Sequence, residues 1–150
     1  MLTDSSLNLL SAKCINLRSF NLSKVSSFSK KALIESFKSL KNLEYLKIER
    51  CMRVDDQVLE VISENCKKIK SLDLTRVKIS ENTLLKISTN LPLLQDLILF
   101  ACGKGVTDKV LDSISMNNKN LVYISLSKNS IIGNDSLCNL FDKCENLQGI

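Results

Sequence analysis

The side chains best equipped for covalent or metal chemistry in this 150-residue chain are six cysteines, and no histidine accompanies them. Without imidazole there is no His-based triad, no His metal ligand and no group that titrates near neutrality at its ordinary pKa. Cys14, Cys51, Cys66, Cys102, Cys138 and Cys144 contain no C-x-x-C pair, which argues against zinc. A thiol nucleophile needs a base beside it, and no His can serve Cys138. Asp55 and Asp56 are adjacent carboxylates that a metal could use, but a helix start covers them without a metal and is the favoured reading. The glycine-containing segment LFACGKGVTD, residues 99–108, lacks the spacing and the helix-opening Ser/Thr of a phosphate loop. It reads instead as a turn absorbing one extra residue. No G-x-G-x-x-G and no nucleophile elbow are present, so no catalytic residue, metal or cofactor is expected and the chain is not expected to be an enzyme.

Positions of these residues obey a period. Leu17 in INLRSFNL anchors a frame that returns at Leu43, Ile69, Leu94, Leu121 and Leu147, in steps of 26, 26, 25, 27 and 26 residues. Apolar residues follow each anchor at +3 and +5: Phe20/Leu22, Leu46/Ile48, Leu72/Leu74, Leu97/Leu99 and Ile124/Leu126. A second apolar set comes later in each unit, as Leu33/Phe37, Leu59/Ile62, Leu84/Ile87, Leu111/Ile114 and Leu137/Leu140. Five returns in register mark a repeat architecture.

Each unit has two halves with different periods. The L-x-x-L-x-L half alternates, as a short half-buried strand does. The other half, as in VDDQVLEVISENC, spaces apolar residues three or four apart and predicts a helix of two to three turns. Asp55/Asp56, Ser80/Glu81, Thr107/Asp108 and Asn134/Asp135 stand where those helices should begin and suit unpaired N–H groups and the positive dipole end. Sequential strands joined by helices must run parallel with right-handed crossovers. The expected fold is an α/β right-handed solenoid, strands on a concave face and helices on a convex one. Residues 1–150 are read as one domain: a partial repeat 1–14, repeats starting near 15, 41, 67, 92 and 119, and a partial repeat 145–150. An isolated repeat cannot offset its ordering entropy, so stacking is obligatory.

Composition agrees. Hydrophobic residues are 44% and charged ones 25%, with 5% aromatics, no Trp, four Gly and one Pro, which suits a globular aliphatic core. No apolar run reaches 18 residues, so no membrane association is expected, and the N-terminus lacks a secretory signal pattern. Cys51 and Cys102 share the +8 place with Val25, Val77 and Asn129; Cys14, Cys66 and Cys144 share the +23 place with Leu40 and Leu91. Thiols that interchange with Val and Leu behave as small buried hydrophobes, so all five should be buried and Cys138 alone accessible. A reducing compartment, cytoplasmic or nuclear, follows.

LEYLKIERCMRVDDQVLEVISENC resembles the cysteine-containing leucine-rich repeats of F-box substrate receptors and of the antagonist-of-mitotic-exit-network proteins. The resemblance covers essentially the whole chain, best at residues 43–66 and 94–118. It is weakest at 17–40, where FSKKAL replaces the Thr-Asp start. It implies protein–protein recognition and ubiquitin-dependent degradation, including substrate recognition for an SCF-type ligase. An F-box is a separate helical module, and the chain opens inside a repeat at LTDSSLNLL. Both ends are read as unfinished repeats of a fragment or short gene product, with self-association through uncapped faces expected.

In the strand, +3 and +5 point inward, so +2, +4 and +6 face outward, with +7 at the edge. The +7 row is Lys24, Arg50, Arg76, Ala101 and Lys128; beside it stand Tyr45, Tyr123, Lys47, Ile98 and Phe100. Glu49, Asp73 and Asp96 offset part of that charge. Aromatics ringed by cations make an interface, and the expected partner is a protein segment with acidic or phosphorylated residues near an apolar anchor. The alternative is a basic solenoid binding nucleic acid or another acidic surface. A net charge of +5 over 150 residues is modest, and nucleic acid is the less favoured partner.

Overall fold

The computed structural model describes residues 3–129 and 132–150. Helices and strands alternate: α1 (Asp4–Lys13), β1 (Ser19–Asn21), α2 (Lys30–Ser39), β2 (Tyr45–Lys47), α3 (Asp56–Asn65), β3 (Ser71–Asp73), α4 (Glu81–Asn90), β4 (Asp96–Ile98), α5 (Asp108–Asn117), β5 (Tyr123–Ser125) and α6 (Asn134–Lys143). All five strands form one parallel sheet in the order β1-β2-β3-β4-β5. Strand partners sit one repeat apart, so Phe20, Leu46, Leu72, Leu97 and Ile124 form a single row. This is the α/β leucine-rich-repeat solenoid that the period requires.

The core is the apolar layer between sheet and helices. Both +3 and +5 residues are buried in the three central repeats, as are Leu59, Ile62, Leu84, Ile87, Leu111 and Ile114 from the helices. Phe20 and Leu126, toward the two ends of the stack, are only partly buried. A further apolar place went unnoticed in the sequence: Phe28, Val54, Ile79 and Val106, each just before a helix cap, join the core.

Helix starts are capped by Ser29, Asp55, Ser80 and Thr107, whose side chains accept from Ala32, Val58, Thr83 and Val110 N–H groups. Helix α6 starts at Asn134 with Asp135 in its first turn, where the sequence places it, but its cap residue is Gly133, which offers no side-chain bond. The residue after each cap reaches toward the following repeat. Asp4 accepts from the Ser29 N–H (2.7 Å), Asp56 from Ser80 N–H (2.9 Å) and Asp108 from Gly133 N–H (2.8 Å). Glu81 accepts from the Thr107 hydroxyl at 2.8 Å, and Lys30 donates to Asp55 at 2.6 Å. Five polar links thus join successive repeats along the helix-start edge.

The LFACGKGVTD turn is built for close approach. A side chain at Gly105 would drive its Cβ into the Ile79 carbonyl oxygen, and Gly103 has φ +88°. Two of its N–H groups are committed to one side chain, since Asn129 Oδ1 accepts from Cys102 and Gly103 at 2.8 and 3.2 Å.

Candidate partner-binding face

Beyond each strand the chain turns sharply. The +8 N–H donates to the +5 carbonyl of its own repeat, as in Cys51 to Ile48 (3.2 Å) and Val77 to Leu74 (2.8 Å). The +7 residue inside that turn is left-handed in every repeat: Lys24, Arg50, Arg76, Ala101 and Lys128 have φ of 62°, 53°, 59°, 55° and 59°. None is glycine, although an L-side chain there costs about 1–2 kcal/mol. Nothing in the residue types announced this conformation. The +7 N–H groups continue the ladder sideways, Arg50 to Thr75 at 2.9 Å, Arg76 to Phe100 at 2.9 Å and Ala101 to Ser127 at 3.0 Å. The row is therefore in register across the sheet, and its cations stand at the rim of the strand face rather than on its floor.

The floor carries the other candidate residues in rows of its own. The +2 row is Ser19, Tyr45, Ser71, Asp96 and Tyr123; the +4 row is Asn21, Lys47, Asp73, Ile98 and Ser125. Tyr45 and Tyr123 are exposed, 48% and 39%. The single aromatic cluster expected from the sequence is corrected: Tyr45 stands three strands from Tyr123, roughly 14 Å away at the usual spacing. Ile98 and Phe100 are half-buried rather than exposed. The Lys128 ammonium lies over the Phe100 ring, 5.3 Å from its centroid. A shallow groove of about 300 Å³ joins Tyr45, Lys47, Asp73 and Ile98.

Charge on this face is unevenly spent. Asp73, expected to point outward, is buried; it accepts from Thr75 N–H at 2.9 Å, and Lys47 Nζ lies 3.2 Å away. The hydrogen bond to Asp73 raises the Lys47 pKa above its ordinary value. Glu49 sits 3.6 Å from Arg50 Nε and 3.7 Å from Lys47 Nζ. At the other end of the strands Glu44 bridges Lys70 (2.8 Å) and Arg18 (3.6 Å), and the hydrogen bond from Lys70 lowers its pKa. Among the described residues, Lys24, Arg76 and Lys128 have no carboxylate within 4.0 Å.

The thiols lie elsewhere. Cys51, Cys66, Cys102 and Cys144 are buried, and loss of solvation raises all four pKa values, Cys66 and Cys102 to about 12. Cys14 is exposed, against the sequence reading, because its unit has a neighbour on one side only among the described residues. Cys66 shows what that neighbour does: its Sγ points at the Leu40 carbonyl, 3.4 Å away in the preceding repeat. Cys51 and Cys102 likewise donate to Val25 and Leu74 carbonyls, both at 3.1 Å. Asparagine does the same more strongly: Asn129 donates to the Leu99 carbonyl and Asn118 to the Leu91 carbonyl, at 2.7 and 2.8 Å. The two cysteine places are thus donor places. No group of three or more His, Cys, Asp or Glu side chains poised for a metal occurs among the described residues.

No family model matches the sequence. An Arabidopsis thaliana F-box protein, SKIP19, is 31% identical over 124 residues, 81% of this chain and 40% of that protein. The chain thus spans about two fifths of the length of that curated relative. Among solved structures, a chain of the Rad7 and Elc1 complex in yeast matches with TM-score 0.74 at 22% identity, over 99% of this chain and 37% of that one. The tropomodulin C-terminal domain of Caenorhabditis elegans matches at 0.69 and 13%, covering 95% and 91% of the two chains. An internalin from Listeria monocytogenes matches at 0.56 and 17%, covering 92% and 42%. These structural likenesses speak for the fold, and the sequence likeness to SKIP19 fits a family of the F-box/leucine-rich-repeat kind. The chain is a leucine-rich-repeat solenoid, similar in sequence to an F-box protein along four fifths of its length.

Proposed function

We propose that this chain recognises a protein partner for a ubiquitin-ligase receptor of the F-box type, in the manner of SCF substrate recognition. The observation that carries the reading is the strand face. Lys24, Tyr45, Lys47, Arg50, Arg76, Ile98, Phe100, Tyr123 and Lys128 all lie on it or at its rim, in rows fixed by strand register. Exposed tyrosines give large contact area with little rotamer entropy, and unneutralised cations favour an acidic or phosphorylated segment. Buried thiols with raised pKa values suit recognition rather than catalysis and a reducing compartment, cytoplasmic or nuclear. No helix is long and apolar enough to cross a membrane among the described residues. Exposed Leu9 and Ile15 near one end of the stack, and Phe141 and Ile150 near the other, support self-association as a secondary property.

The test is capture from a cell lysate with the purified chain and with the triple variant Phe100→Ala, Arg50→Glu, Arg76→Glu. A protein retained by the unaltered chain is then purified and titrated against both. We expect affinity to fall at least a hundredfold in the variant. Equal affinity with intact helical circular dichroism sinks the reading.

A further inference from the structure

Each helix passes to the next strand through a two-residue turn: Ile15–Asn16, Lys41–Asn42, Lys67–Lys68, Pro92–Leu93 and Lys119–Asn120. These turns form the edge of the solenoid opposite the helix starts. Side-chain amides hold them in line. Asn42 donates to the Ile15 carbonyl at 3.0 Å, Asn120 to Pro92 at 3.5 Å and Asn146 to Lys119 at 3.2 Å, each one repeat back. Lys68 stands in the asparagine place, and its ammonium donates to Asn42 Oδ1 at 2.7 Å.

Positive charge gathers at the middle of this edge. Lys41, Lys67 and Lys68 are exposed, and none has a carboxylate within 4.0 Å among the described residues. Helix C-termini favour a cation, which is the ordinary use of lysine here. Lys119 is used that way and donates to the Ser115 and Lys143 carbonyls at 2.7 and 3.3 Å. Lys41 and Lys67 hold the same place in their turns and make no such bond among the described residues. Just inside the turns Arg18, Glu44 and Lys70 lie side by side, with Glu44 N–H on the Arg18 carbonyl and Lys70 N–H on the Glu44 carbonyl, both at 2.8 Å. Glu44 answers both cations, and a recess of about 130 Å³ opens between Arg18 and Lys68, lined also by Asn16, Asn42 and Glu44. Glu64, in the last turn of α3, is the other acid close by in sequence. Ile15 and Leu93, in the turns before and after the lysines, are 55% and 42% exposed.

We propose that this edge binds an extended acidic segment of a partner polypeptide, its carboxylates meeting Lys41, Lys67 and Lys68 and its flanking apolar side chains resting on Ile15 and Leu93. The site is separate from the strand face and independent of that reading. From Ile15 to Leu93 is three repeat steps, at least roughly 14 Å at strand spacing, which about five extended residues span. One carboxylate of the segment fits the recess, between the Arg18 guanidinium and the Lys68 ammonium. The hydrogen bond from Lys70 keeps Glu44 ionised there, so a singly charged carboxylate is repelled less than a phosphate monoester. None of these turns carries an aromatic residue, so nucleic-acid bases gain no stacking. Ile15 and Leu93 keep about half their surface against the protein, which makes them footholds rather than side chains that insert into a bilayer.

The probe is the fluorescein-labelled peptide GSLEDEDLSG, compared by anisotropy with its uncharged counterpart GSLQNQNLSG on the full chain at low salt. We expect the acidic peptide to bind about tenfold more tightly. The triple variant Lys41→Gln, Lys67→Gln, Lys68→Gln should erase that difference. Lys24→Gln, Arg76→Gln, Lys128→Gln, an equal loss of charge at the rim of the strand face, should leave it intact. Leu93→Ser should weaken the acidic peptide about threefold, and urea midpoints verify that each variant is folded. Equal affinity for the two peptides overturns the edge site, and so does an equal loss in the two triple variants, which would mean that binding follows net charge alone. Either result leaves the strand-face reading to its own Phe100, Arg50 and Arg76 variant. Poly-U RNA and phosphatidylcholine vesicles with about one quarter phosphatidylserine are run alongside. Either of these bound more tightly than the acidic peptide, and released by the edge variant, overturns the polypeptide occupant.

Discussion

The ammonium of Lys30 lies 2.6 Å from Oδ2 of Asp55, one repeat away, and so reverses the charge order of its own helix-start edge. In α1, α3, α4 and α5 the residue after the cap is an acid that accepts from the next repeat; here it is a base that donates, and the next cap residue supplies the carboxylate. Both partners are substantially exposed, so the pair is worth about 0.2–1 kcal/mol. Lys30→Asp removes the pair and opposes two carboxylates. The urea midpoint should drop measurably at low salt, with the deficit shrinking at 0.5 M salt as screening takes over. A deficit that ignores salt would mean the link is not electrostatic.

Acid should loosen the same edge. The Ser29 side chain and then its N–H hold the Asp4 pKa below its ordinary 3.8; Ser136 and then the Gly133 N–H do so for Asp108. A depressed folded pKa gives stability that is present above the unfolded value and lost as pH falls through the folded one. Urea midpoints should therefore be flat from pH 7 to 5 and fall from about 4 downward. Asp108→Asn keeps an acceptor and removes the titration, so it should make that fall shallower; an unchanged acid limb would remove Asp108 from the account.

Alkali acts on the core. Cys66 and Cys102 have folded pKa values pushed up to about 12 from 9.0 by loss of solvation, so their contribution is full below 9 and lost as pH climbs toward 12. At pH 8 without denaturant, exposed Cys14 and Cys138 should react quickly with an aqueous thiol reagent, and the four buried thiols should wait for unfolding. Mass spectrometry after brief labelling should find two modified sites. Early modification of Cys66 or Cys102 would break the repeat phase.

Two glycines two residues apart should respond to different degrees and for different reasons. Gly105→Ala drives a methyl group into the Ile79 carbonyl and should cost about 3 kcal/mol, since backbone must move. Gly103→Ala meets nothing within 4 Å and should cost only the left-handed strain, about 1 kcal/mol. Thermal melts of the two variants rank them, and a reversed order would refute the packing described for this turn.

Most of the fold was legible because apolar spacing and stacking are the same fact seen twice. The strand and helix periods located each element, and register followed from the 26-residue step. What escaped notice was the polar chemistry between repeats. Asn118 is fully buried and donates to Leu91, yet it fills a place where Leu and Cys also stand, so no pattern flagged it. Lys30 looked like a defect in the weakest repeat because its partner lies 25 residues on. The candidate face was legible in membership but not in shape. Alternation assigned the rows, whereas the distance between Tyr45 and Tyr123, the burial of Asp73 and the left-handed rim all depend on neighbours that a single strand does not reveal.

The left-handed rim has a consequence for how such a scaffold can change its ligand. Glycine would satisfy each of the five turns with less strain than the side chain it has, so the backbone does not dictate which residue stands there. Each position is a socket that the fold holds at fixed spacing and leaves unspecified. Read across the sheet, the sockets spell positive, positive, positive, blank, positive. A scaffold with the same core and a different spelling would fold alike and present a different charge pattern, so the charge of this rim is written in a string of five letters that folding does not proofread.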